Sequence, residues 1–141
     1  MSNINELKEK VMEEVYDYLK KCGTYFLATE ERDQARVRPF GTIDMFEKKL
    51  YIQTGKVKDV SKQMLTNPKI EISAFDGDTW IRVQAIAVED NRVAAKEHML
   101  EAYPSLKDRY SADDENTQVL YLKDVVATIS SFANDPKVIE F

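Results

Sequence analysis

One cysteine, one histidine, one tryptophan, four glycines and four prolines are spread over 141 residues. Each scarcity removes a class of answers. A lone Cys22 cannot close an internal disulfide, which fits a reducing compartment and makes the cytoplasm the expected location. Cys22 and His98 together cannot assemble a zinc site of ordinary composition. No nucleophile signal accompanies His98, so triad hydrolysis is not expected either. No apolar run reaches the ~18–20 residues that span a bilayer, and the opening Met-Ser-Asn-Ile-Asn-Glu lacks the basic start and apolar stretch of a secretion signal. Neither Gly-x-x-x-x-Gly-Lys-Ser/Thr nor Gly-x-Gly-x-x-Gly occurs, so Walker and Rossmann nucleotide sites are unsupported.

What is present reads as one domain over residues 1–141. A 43% hydrophobic and 32% charged composition is the ordinary balance for a chain that buries one core without staples. The net charge of −5 argues against nucleic acid as a partner, because such surfaces are basic overall. Charge is nevertheless uneven: Lys56, Lys58, Lys62 and Lys69 face Asp59 alone between Thr54 and Lys69. A basic island of that size suits a small anion, or else it is the solvated face of a helix.

Hydrophobic spacing at Ile4, Leu7, Val11, Val15, Tyr18 and Leu19 predicts a helix over 3–21, capped by Asn3 or Asn5 and stopped at Gly23. Strands are predicted at Thr24–Thr29, Arg36–Ile43, Leu50–Thr54, Ile70–Phe75, Thr79–Glu89 and Val119–Phe132. Glu30–Gln34 is a polar loop, and Asp76-Gly77-Asp78 is a hairpin turn. Short helices follow at Lys58–Leu65, ended by Asn67-Pro68, and at Asn91–Ala102, with a further helical turn at Pro104–Tyr110. Asp124 interrupts an apolar run and marks a break or bulge. Pro136–Phe141 reads as a tail. Six strands at hairpin spacing with peripheral helices predict a mainly β, α+β antiparallel barrel.

Two places carry chemistry. Arg36 and Arg38 lie two apart on one strand, hence on one face and about 6–7 Å apart. Unless an anion or water sits between them, such a pair repels. Pro39 cannot donate to a ladder and so marks an edge, and Gly41 lets a ligand or backbone approach closely. Further on, Thr54-Gly55-Lys56-Val57-Lys58 joins a strand end to a helix start, where first-turn amides and a mobile lysine attract phosphate. Trp80 opens a strand, with Arg82 and Gln84 on its face and Ile81, Val83 and Ala85 on the other. It is either core filler or a wall against a bound ring across a dimer boundary. His98, beside Glu97 and Glu101, reads as solvated.

The ordered segments Tyr-Phe-Leu-Ala-Thr (25–29), Ala-Arg-Val-Arg-Pro-Phe-Gly (35–41), Leu-Tyr-Ile-Gln-Thr (50–54), Lys-Gln-Met-Leu-Thr-Asn-Pro-Lys-Ile-Glu-Ile-Ser (62–73) and Trp-Ile-Arg (80–82) extend this picture. Together they resemble the FMN-binding split-barrel family related to pyridoxamine 5′-phosphate oxidase, nearest its nitroimidazole-resistance-type (NimC/NimA-like) branch. Glu-Ala-Tyr-Pro-Ser-Leu-Lys (101–107) is similar too. The resemblance implies a six-stranded Greek-key split barrel, homodimeric, with FMN sites shared between subunits. It implies that Arg36, Val37, Arg38 and Pro39 line the isoalloxazine edge, followed by Gln53 and Thr54. Lys58 would neutralise the phosphate with Lys56 or Lys62, while Trp80 approaches from the second subunit and Phe132 lies near the ring. True pyridoxamine-phosphate oxidases end in an Arg-x-His segment, and this chain has no histidine after His98, so vitamin B6 oxidation is not expected.

The expected activity is therefore FMN-dependent hydride transfer to or from a small planar substrate such as a nitroaromatic or quinone, with NAD(P)H as donor. No catalytic side chain and no metal are assigned. The alternatives are a flavin-binding or stress-response module without turnover, and the same fold around haem or a deazaflavin.

Overall fold

Val15 and Leu19, one helical turn apart, are both buried on the inner face of helix α1 (Ser2–Cys22). The computed structural model describes residues 2–141. Asn3 and Asn5 fall inside α1 rather than at its cap. Gly23 ends it as predicted, with φ of 75° and its amide donating to the Leu19 carbonyl at 3.1 Å.

Three strands follow: β1 (Tyr25–Glu31), β2 (Gln34–Phe40) and β3 (Asp44–Phe46). β4 (Lys49–Gly55) leads into helix α2 (Asp59–Thr66), and β5 (Lys69–Phe75) into β6 (Trp80–Asp90). Helix α3 (Val93–Ala102) runs into a 3-10 turn (Pro104–Asp108), and β7 (Thr117–Ser130) and β8 (Lys137–Glu140) complete the chain. The strands are joined in the order β2-β1-β5-β6-β7-β4-β3, with β8 on β7, and every pairing is antiparallel. The class is α+β and mainly β, but with eight strands in place of the predicted six.

The two extra strands have physical causes. The predicted strand Arg36–Ile43 stops at Phe40, because the Thr42 carbonyl turns aside to accept the Tyr25 hydroxyl at 2.5 Å. The Thr42 hydroxyl meanwhile takes the Gln53 amide at 3.0 Å, and Asp44–Phe46 then pairs separately with β4. At the other end, Asp124 has φ of 52° and the β6–β7 register slips between Gln84 and Ile86, the bulge expected there. That kink bends β7 towards the supposed tail, which is β8, and Val125 exchanges both backbone hydrogen bonds with Phe141.

Two hairpins turn through residues that rarely adopt positive φ. Arg32 and Asp33 join β1 to β2 at φ of 49° and 68°, and Glu47 and Lys48 join β3 to β4 at 49° and 61°. Both have the left-handed pattern of a two-residue hairpin without the usual Asn-Gly. Leu27, Ile52, Ile72, Ile81, Val83, Leu120 and Ala127, each within a percent of full burial, fill the interior together with α1. Helix α2 packs on both β1 and β4, strands far apart in the sheet order, so the sheet curls and α2 bridges its open side. Among the described residues, no helix is long and apolar enough to cross a membrane.

Asp114 braces the loop before β7. Its carboxylate accepts the amides of Ser111, Asn116 and Thr117 and the Thr117 hydroxyl, all at 2.7–3.0 Å. Burial pushes its pKa upward, but the donors outweigh that and hold it at about 2. A depressed carboxylate contributes stability above its unfolded pKa, and that contribution disappears as pH falls through the folded value. Asp114→Ala is expected to cost about 1 kcal/mol, the ordinary worth of a side-chain cap. The loss should be constant above about pH 5 and shrink towards pH 2. Urea unfolding of both proteins across that range measures it; a difference independent of pH would show that the charge is irrelevant.

Candidate cofactor cleft

Arg38 pairs with Leu27 across β1 and β2, so it shares Leu27's inward face and reaches under α2. Its Nη1 donates to the Leu27 carbonyl at 3.1 Å and to Thr29 Oγ1 at 2.8 Å, while Nη2 donates to Gln63 Oε1 at 2.6 Å. The Thr29 hydroxyl also donates to Gln63 Oε1. Gln63 Nε2 passes the chain to Glu31, whose other oxygen accepts from Arg36 Nη2 at 3.4 Å. Arg36 is thus exposed and paired, whereas Arg38 is half-buried and locked. Burial, and then the neighbouring Arg36 charge, pull the Arg38 pKa down. Among the described residues no carboxylate lies within ion-pair range of Arg38 or Lys58.

Arg38 and Lys58 open onto one cleft of about 400 Å³, within the range of small-molecule sites. Pro39 and Thr42 form one wall, and Gln53 and Thr54 form the floor at the end of β4. Tyr103, Leu106, Arg109 and Tyr110, on the 3-10 turn and at its two ends, form the opposite wall. Among the described residues, no aspartate or glutamate lines this cleft. A neighbouring hollow of about 480 Å³ shares Arg38 and Lys58 and adds Arg36 and Val37, together with Glu31 and Asp59. Seven predicted residues (Arg36, Val37, Arg38, Pro39, Gln53, Thr54 and Lys58) therefore meet around one connected depression.

Before the helix, the Lys56 amide donates to the Asn116 carbonyl at 2.8 Å and the Val57 amide to Asn116 Oδ1 at 3.1 Å, so the free amides expected for a phosphate are confined to the first turn of α2. The Lys58 amide donates to the Gly55 carbonyl at 3.0 Å. Only the next two amides, of Asp59 and Val60 at the start of α2, lack an acceptor among the described residues. Gly55 is closely packed: a Cβ there would come within 3.1 Å of Asn116 Nδ2 and 3.2 Å of the Tyr110 hydroxyl, so those side chains would have to give by a few tenths of an ångström. Lys56 points away, its Nζ 3.4 Å from Asn91 Oδ1, and Lys62 lines neither hollow.

Trp80 and Phe132 pack on each other at 5.1 Å between ring centroids and line neither hollow of their own chain. Burial along β6 alternates as predicted, with Ile81, Val83 and Ala85 inside. His98 is not simply solvated. Its Nδ1 lies 2.6 Å from an oxygen of buried Asp44, and Phe46 stacks at 4.7 Å. It fastens α3 to β3 and stays clear of the cleft.

Sequence reasoning missed the far wall. The Tyr103 hydroxyl accepts the Ile43 amide and donates to the Ile43 carbonyl, both at 3.0 Å, which pins the 3-10 turn across the cleft from β2. Lys20 of α1 caps the same ring at 4.5 Å. Nothing local in Tyr103–Tyr110 announces this, because the contact spans 60 residues.

Neither a protein-family model nor a curated protein matches the chain. Among solved structures, it is similar to a haem-binding protein from Mycobacterium smegmatis, at 12% identity over 95% of this chain and 57% of that one, with a TM-score of 0.66. It is also similar to a general stress protein 26-related protein of the pyridoxinephosphate oxidase family from Clostridium acetobutylicum. That match has 13% identity over 94% of this chain and 96% of the other, with a TM-score of 0.68. Identities this low establish the fold alone. A third structure, a NimC/NimA family protein from Clostridium acetobutylicum, shares 42% identity over 96% of both chains at a TM-score of 0.93. With sequence and backbone agreeing along almost its whole length, this chain belongs to the NimC/NimA family of pyridoxamine 5′-phosphate oxidase-like split barrels.

Proposed function

We propose that the cleft holds FMN and that the protein is a homodimeric, cytoplasmic flavin-dependent oxidoreductase. The observation that carries this reading is the pair Arg38 and Lys58, two cations that have no ion-pair partner among the described residues, set on a cleft whose own lining holds no carboxylate, Glu31 and Asp59 lying in the adjoining hollow. Together they match the charge of a phosphate monoester. The open amides of Asp59 and Val60 add donors at the positive end of α2. Lys56 and Lys62 contribute only long-range charge.

β2 is an edge strand, bonded to β1 alone, so alternate backbone groups of Arg36, Val37 and Arg38 lack a strand partner. Such groups suit the donor and acceptor edge of a flat heterocycle. Gln53 and Thr54 fix its position at the floor. When bound, FMN supplies reversible hydride acceptance at its N5. The chain's own part is to hold the phosphate, orient the ring, keep water off one face and place positive charge where electrons arrive. No side chain is needed as general acid or base. Planar acceptors such as nitroaromatics or quinones fit an open aromatic-walled cleft, with NAD(P)H as donor.

The homodimer accounts for a second surface. Phe132 is 96% exposed, Phe75 64% and Phe26 51%, and Trp80 lies among them. An apolar patch of that kind marks an interface, and a second copy seated there would bring Trp80 and Phe132 to its partner's flavin.

The purified protein is expected to be yellow and to release FMN on denaturation. Lys58→Ala should weaken FMN binding by about tenfold or more, the loss of one charge-assisted contact. Arg38→Ala should weaken it further and also lower Tm, because Thr29 and Gln63 lose their partner. Undiminished affinity in both variants would refute the site. Anaerobic NADPH should bleach the flavin and a quinone should restore it; a flavin that never bleaches with NADH or NADPH identifies a binding module instead. Light scattering should give twice the 16.3 kDa chain mass, and Phe75→Asp with Phe132→Asp should halve it.

A further inference from the structure

We propose that Arg109 docks an anionic group, phosphate or carboxylate, carried by the molecule that reacts with the flavin. This rests on the FMN reading above and names the chemistry of the reaction partner. The reasoning begins with charge. The chain has 25 acidic residues against 20 lysines and arginines, yet three cations and no carboxylate line this one cleft. A phosphate monoester carries at most two negative charges, which Arg38 and Lys58 already balance. Arg109 is the surplus.

Its placement supports a separate role. Arg38 and Lys58 stand on the β2 and α2 side, whereas Arg109 stands on the wall built by the 3-10 turn. Its backbone is fixed, with its amide donating to the Leu106 carbonyl at 3.0 Å and the following Tyr110 amide to the same oxygen at 2.8 Å. The Tyr103 hydroxyl clamps that wall to Ile43. The nearby carboxylates of Asp113 and Asp114 are engaged by Ser111 and Thr117. Among the described residues, Arg109 has no ion-pair partner. Its side chain is exposed, and Tyr103 and Tyr110 line the same cleft. A guanidinium in a cleft that also presents two tyrosines suits a flat molecule with a negative end.

Two sources would present that end: the pyrophosphate of a nicotinamide dinucleotide, or an acid group on the acceptor. The test uses FMN-loaded protein and Arg109→Gln. Flavin reduction is followed by stopped flow with NADPH and with the uncharged donor N-benzyl-1,4-dihydronicotinamide. Reoxidation is followed with 4-nitrobenzoate and 4-nitrobenzamide. Calorimetry measures binding of ADP-ribose and 4-nitrobenzoate directly. The expected result is a loss of about tenfold in rate and affinity for the charged member of one pair. Its neutral counterpart should stay within about twofold, FMN affinity should be unaltered, and Arg109→Lys should recover part of the loss. The pair that responds identifies the source. Equal effects on charged and neutral partners, or no effect on either, overturn the assignment of Arg109 while leaving the FMN site intact. A wild-type protein that takes up no FMN overturns both.

Discussion

A guanidinium drawn partly out of water with no carboxylate to meet it is the constraint on which the site depends. Such a group is costly unless every hydrogen bond is made. Arg38 meets that cost with neutral acceptors only: a carbonyl on β1, a threonine hydroxyl and a glutamine amide oxygen on α2. These partners hold the group in place without cancelling its charge. One residue thereby joins β2, β1 and α2 across the split in the barrel and leaves a positive potential facing the cleft. Had Gln63 been a glutamate, the same geometry would have satisfied Arg38 completely and left little for an incoming anion.

The cleft is assembled from pieces far apart in the chain, each supported by a contact outside it. Asn116 grips the turn after β4, Asp114 grips Asn116, and Tyr103 holds the opposite wall to the residue before β3. The lining is consequently stiff where charge must be aimed. The polar contacts behind it are directional and satisfied, and no buried side-chain nitrogen or oxygen among the described residues is left without a partner. Stiffness of this kind is how a protein contributes to chemistry that a bound cofactor performs.

Much of this was legible in the amino-acid order. Period-two and helical patterns located the six longer strands and the helices, and Asp124 announced its bulge by standing charged in an apolar run. Arg36, Arg38 and the Thr54–Lys58 turn stood out by their local chemistry, and the family resemblance gave them their expected role. What escaped was decided by distance. β8 is a strand only because the bulge delivers an edge to it, and Phe40 ends β2 because Tyr25 and Gln53 capture Thr42. The amides at 56 and 57 seem open until Asn116 arrives from 60 and 59 positions along the chain. The partner of His98 lies 54 positions away, so its helix neighbours could not reveal it. Arg109 belongs to the same class, since only the folded wall turns it to the cleft.

The corner at Arg32 and Asp33 has a practical consequence. Both residues hold a left-handed backbone that costs an L side chain free energy, and among the described residues neither side chain is in an ion pair that offsets it. The hairpin nearest the arginines therefore carries a small, removable handicap. An Asn-Gly graft at this corner offers engineers a way to raise thermal tolerance and to calm the strand bearing Arg38 while leaving the chemistry of the cleft untouched.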